Sequence, residues 1–182
     1  MTEGSSPGRP RRIAVIGTSG SGKTTFSREL AARLGVPHVE LDALFWLPDW
    51  QEPELADFRA KVDAATGGDG GWVVDGNYSR VRDIVFGRAD TVVWLDLPMR
   101  TCLWRTTRRT VRRARRGEVL WGTNRERLIG LVDRESLTWW ILTTHRSRRR
   151  ENEQRLADPA AAHLRVHRFR SSAQAEAWLA SV

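Results

Sequence analysis

The chain has 182 residues, 40% of them hydrophobic, with a formal charge of +8 and a single cysteine. That length suits one compact α/β domain rather than two, and the apolar content is enough to fill one core. No run approaches the roughly 20 apolar residues of a membrane helix, and the lone Cys102 excludes an internal disulfide, so a cytoplasmic protein is expected.

Residues 1–10 are polar and rich in Gly, Ser and Pro, without the apolar segment of a signal peptide. They read as a disordered lead-in, leaving 11–182 as a single domain. The run RRIAVI (11–16) opens straight into a Gly/Ser-rich turn, as a buried parallel strand does. Helical periodicity follows over Lys23–Leu34, stopped by Gly35 and Pro37. Residues 38–41 predict a second strand ending at Asp42, and 43–53 is aromatic and punctuated by proline. An exposed helix is expected over 54–65, a loop over 67–71, and further strands at 72–75, 91–97 and 164–169. Pro98 opens a long basic helix to Arg116, which 117–124 breaks. Helical pattern resumes from about 125 to 157 in one or two pieces, and Ser171 or Ser172 caps a final helix. Strands alternating with helices imply a parallel, doubly wound sheet.

Gly17-Thr18-Ser19-Gly20-Ser21-Gly22-Lys23-Thr24 fits G-x-x-x-x-G-K-[ST] at every defined position, after a predicted strand and before a predicted helix. Its glycines let main-chain N–H groups turn inward around a β-phosphate, and the first turn of the helix adds unpaired N–H groups. Lys23 would bridge the β- and γ-phosphates of ATP and stabilise the transferred charge. Thr24 would offer its hydroxyl to Mg²⁺, and Thr25 would reach the α-phosphate.

Three carboxylates, Asp42, Asp75 and Asp96, follow apolar strands, at the edge where ligands gather in open α/β sheets. Asp75 is the choice for the acid that holds magnesium and its waters. Asp42 stands nearer the acceptor, placed to orient or deprotonate an attacking hydroxyl. Asp96 braces the loop before Pro98. For each, the plainer reading is a strand-end residue capping the next turn.

Beyond these acids, Gly17 to Thr25, WVVDGNY (72–78), VVWLDLP (92–98) and the Arg-bearing helix that follows resemble the adenylate-kinase-like group of P-loop NTPases. Within it, HVELDALFWLPDW (38–50), DGNY (75–78) and LWGTNRE (120–126) are similar to the bacterial DNA-topology-modulation proteins. The resemblance implies a three-layer α/β/α sandwich whose five-stranded parallel sheet has the order 2-3-1-4-5, with a helical lid insert at about 112–150. It also implies two lid arginines four residues apart in the helix after strand four; Arg105 and Arg109 have that spacing, with Arg108 as a neighbour able to replace either. Adenylate kinases carry D-G-F-P-R after strand three, where this chain has Asp75-Gly76-Asn77-Tyr78-Ser79-Arg80. The arginine they offer to the acceptor's phosphate after strand two has no counterpart before Arg59, so the name does not fix the acceptor.

Trp46 and Trp50 either stack on an acceptor or pack beneath the lid. Trp139 and Trp140 read as core, and His145 as a surface residue. The leading expectation is phosphoryl transfer from Mg·ATP to a small-molecule or nucleotide acceptor. Lys23, Arg105 and Arg109 would neutralise charge, and the insert would exclude water. The alternative is an ATP-switched nucleic-acid-binding protein. It is suggested by the isoelectric point near 11 and by arginines clustered over 100–116 and 146–150.

Overall fold

Five of the apolar runs become parallel strands of one sheet in a computed structural model that describes residues 11–125 and 137–182. The strands are β1 (Arg12–Gly17), β2 (His38–Glu40), β3 (Trp72–Asp75), β4 (Thr91–Leu95) and β7 (Arg165–Phe169), in the order β2-β3-β1-β4-β7. This is the expected 2-3-1-4-5 order once a short antiparallel ribbon, β5 (Val119–Leu120) with β6 (Asn124–Arg125), is set aside.

Side chains alternate across a strand, so β1, β3 and β4 bury two apolar faces. Ala14, Ile16, Val74, Val92 and Trp94 face one side. There α2 (Leu41–Phe45), α3 (Leu55–Thr66) and α4 (Arg82–Arg88) cover them with Phe45, Phe58, Val62 and Val85. Ile13, Val15, Val73, Val93 and Leu95 face the other side, under Phe26 and Leu30 of α1 (Lys23–Leu34) and Leu179 of α7 (Ser172–Ala180). Full burial of a side chain such as Phe58 contributes roughly 1.5–3 kcal/mol. A third cluster, Leu97, Cys102 and Ile141, joins α5 (Met99–Arg116) to α6 (Leu137–Leu156).

Several expectations need correction. The second strand stops at Glu40 and the chain turns at once into α2, so Asp42 lies in a helical first turn instead of ending a strand. Helix α3 is amphipathic, not merely exposed: Phe58, Val62 and Thr66 face the core. The stretch 117–124, read only as a break, contains β5 and the first residue of β6, because Gly117 in the left-handed region ends α5 and reverses the chain. Ser171 is the cap of α7, its hydroxyl accepting the Gln174 N–H at 3.3 Å. The expected lead-in (1–10) and the part of the lid insert at 126–136 lie outside the described residues. Among the described residues no helix is long and apolar enough to cross a membrane.

Candidate active site

The loop between β1 and α1 is tightly packed at Gly20. A Cβ on Gly20, whose φ is +79°, would stand 2.3 Å from the Cys102 carbonyl oxygen and 2.4 Å from Thr106 Oγ1, both on α5. The loop closes on itself through Ser21 N–H donating to Thr18 O at 3.0 Å. Asn77, whose role the sequence left open, grips the loop's start from the turn after β3. Its Oδ1 accepts the Gly17 N–H at 3.2 Å and its Nδ2 donates to the Gly17 carbonyl.

Lys23 opens α1, half-buried, and its Nζ donates to Thr18 O at 3.3 Å. Burial lowers its pKa; the charges of Asp42 and Asp75 act to raise it, and that of Arg109 to lower it. Thr24 is half-buried and Thr25 exposed in the same helical turn. The buried hydroxyls of Ser21 and Thr106 make no hydrogen bond among the described residues. A cation held in a low-dielectric setting beside orphaned hydroxyls and main-chain amides fits a polyphosphate.

Helix α5 brings its arginines to this loop from above. Arg105 reaches the Ser21 carbonyl at 3.5 Å and the Ser172 hydroxyl at 2.9 Å, tying the loop to the start of α7. Arg109 is the next residue on that face, close enough for its charge to act on Lys23. Arg108 does not share this face: it is exposed, with its guanidinium 5.2 Å from the Trp104 ring, because one residue of helix turns a side chain by about 100°.

The carboxylates stand opposite. Asp75 is 2% exposed at the end of β3, and His38 Nε2 donates to its Oδ2 at 3.3 Å from neighbouring β2. Asp42 accepts from Tyr78 Oη at 2.6 Å. Burial, then the Asp42 charge, pushes the Tyr78 hydroxyl well above its ordinary pKa, so it stays a donor. The sequence reading missed Glu40, in register with Asp75 on β2. Burial and the charges of Asp75 and Asp42 hold its carboxyl above the usual range. Strand alternation alone hides it, since a one-residue change of register would turn it to solvent.

Asp96 is removed from this group: buried, it accepts from Arg168 of β7 at 2.7 Å and pairs with Arg149 of α6 at 3.2 Å, whereas the sequence reading has it bracing the loop before Pro98. Arg59 is committed elsewhere, holding both oxygens of Asp83 at 2.6 and 2.9 Å. Trp46 packs on Phe45 and on Trp50, and Trp50 meets Trp121 of the ribbon turn, so these indoles form an apolar cluster. Two expectations fail here. His145 is buried, its Nε2 donating to Leu97 O at 3.2 Å, because α6 crosses α5 at that point. Trp139 is 46% exposed, and only Trp140 of the pair packs toward Leu97 and Cys102.

No family model matches the chain. Over 120 residues the chain is 34% identical to a shikimate kinase of Halorhodospira halophila, a match covering 57% of this chain and 66% of that protein, just under two thirds of its length. A shikimate kinase from Acinetobacter baumannii, solved in complex with shikimate, superposes with a TM-score of 0.55 at 19% identity over 95% of this chain and 90% of that one. A gluconokinase from Sinorhizobium meliloti gives 0.51 at 20% identity over 94% and 93%. The chain therefore has the α/β fold of P-loop kinases.

Proposed function

We propose that the protein transfers the γ-phosphoryl group of Mg·ATP to a hydroxyl of a small-molecule acceptor. The observation that carries this reading is the meeting of Lys23, Arg105 and Arg109 around a loop of main-chain amides, with Asp42 and Asp75 opposite. The partial match to a shikimate kinase supports it. In this reading the loop amides and Lys23 hold the phosphates, and Arg105 and Arg109 offset the negative charge that spreads over the transferred group. Asp42, oriented by Tyr78, accepts the proton of the attacking hydroxyl. Thr24 and Asp75 hold the magnesium ion, directly or through water. When bound, magnesium neutralises phosphate charge. Among the described residues no three His, Cys, Asp or Glu side chains are arranged to hold a metal. That suits an ion that takes most of its ligands from phosphate and water.

The test is a screen of polyol and cyclic hydroxy-acid acceptors coupled to ADP release, with Lys23→Ala as the comparison. Wild type turns over at least one acceptor, and Lys23→Ala loses about 10²–10³-fold in kcat. Equal rates in the two proteins would remove the mechanism.

One observation favours a second reading. Arg100, Trp104, Arg108, Arg112 and Arg116 recur every four residues along α5 and all are exposed, Trp104 by 61%. A basic stripe bearing an open indole suits single-stranded nucleic acid, through phosphate contacts and base stacking. A labelled oligonucleotide then binds at about 50 mM salt and is released steeply by about 200 mM, and Trp104→Ala weakens it. Negligible binding at the lower salt removes this reading.

A further inference from the structure

Two adjoining recesses open beside the phosphate loop and share Asn77, Arg82 and Asn152. One is walled by the apolar groups of Leu41, Tyr78 and Phe86. The other touches Gly17 and Thr18 of the loop and is lined by Arg148, Arg149 and Asp96. The charges there do not cancel. Arg149 is matched by Asp96, which Arg168 also holds, and the nearby Glu151 is taken by Arg155. Arg82 is half-buried; its backbone N–H donates to Ser79 O, while its guanidinium makes no hydrogen bond or ion pair among the described residues. Arg148 is also half-buried; its guanidinium lies 4.3 Å from the Trp140 ring centroid, and the one carboxylate whose charge acts on it, Glu151, forms its ion pair with Arg155 instead.

A guanidinium taken partly out of water without a close ion-pair partner is costly, and two of them share this recess with a Glu151 already engaged by Arg155. Their forked donors match a carboxylate or phosphate. Among the described residues, Arg59 is spent on Asp83 and Arg80 on Glu52.

We infer that Arg82 of α4 and Arg148 of α6 form an anion-binding subsite for the acceptor, which is therefore a hydroxylated compound bearing a carboxylate or phosphate. This rests on the phosphotransferase reading and narrows its substrate class.

The test pairs acceptors of matched skeleton with MgATP: gluconate against glucitol, shikimate against its methyl ester, glucose 6-phosphate against glucose. The anionic member of a pair is the one phosphorylated. Arg82→Gln and Arg148→Gln each raise the acceptor KM by about 10- to 100-fold, with the KM for ATP near its wild-type value, and Arg82→Lys recovers part of the loss. Equal use of the neutral member overturns the inference, as does a rise confined to the KM for ATP, which would assign the anion to the nucleotide. Should no pair turn over, inorganic phosphate is titrated into the protein loaded with magnesium and a non-hydrolysable ATP analogue, whose γ-phosphate position is already filled. The Nε–Hε NMR signals of Arg82 and Arg148 then shift saturably in the millimolar range; unshifted signals overturn the subsite. Loss of the phosphotransferase reading shows separately, as nucleotide binding that ignores Lys23.

Discussion

Gly20 sits where the phosphate loop touches α5, with no room for even a methyl group. An alanine there meets the Cys102 carbonyl and the Thr106 hydroxyl and must also hold a left-handed φ. Overpacking of this kind costs about 1–3 kcal/mol, and the backbone strain adds to it. Gly20→Ala therefore lowers the urea midpoint and weakens nucleotide binding together, whereas a change in binding alone would contradict the packing described. Glu40 makes a prediction of opposite sign. Its folded pKa is raised, so the folded state keeps its proton to higher pH than the unfolded chain, and the ionised form costs stability near neutrality. Glu40→Gln raises Tm at pH 7.5 by about 2–4 °C, and the gain vanishes below the ordinary carboxylate range. A gain independent of pH would show that the charge is not the cause. Lys23 and Asp75 were legible because a motif and a strand end name them. Glu40 and Arg82 were not, since their surroundings are set by packing between elements distant in sequence.

At the scale of elements, Asn124 fastens the β5–β6 ribbon to the turn after α2. It is 1% exposed, accepts the Trp50 N–H at 2.7 Å, and donates to Leu47 O at 3.0 Å and Trp121 O at 3.3 Å. Asn124→Ala strands those main-chain groups and costs about 1–3 kcal/mol. Because Trp46, Trp50 and Trp121 stand edge to face along this contact, the same variant changes the tryptophan emission of the folded protein. Unaltered emission and stability would mean that the ribbon is not held there. The sequence located the strand–loop–helix unit, α5 and the cap of α7, where Gly, Pro and Ser punctuate strong periodicity. It misjudged the end of β2, His145 and Trp139. For His145 the deciding contact is the distant Leu97 carbonyl before α5, and for the end of β2 it is the paired end of β3.

The whole molecule places one cluster of positive charge and one of negative charge at the carboxyl end of a single parallel sheet. Lys23, Arg105 and Arg109 come from α1 and α5, and Asp42, Asp75 and Glu40 from the β2 and β3 side. Such an arrangement can hold a triphosphate on one side and a hydroxyl acceptor on the other, and the sheet order makes them neighbours. The most direct measurement is calorimetric titration of Mg·ATP into the wild-type protein and into folded Lys23→Ala. Saturable binding by the wild type, about 10- to 100-fold weaker in the variant, is the predicted result. Identical affinities in the two proteins, or no saturable heat at millimolar nucleotide, would contradict it.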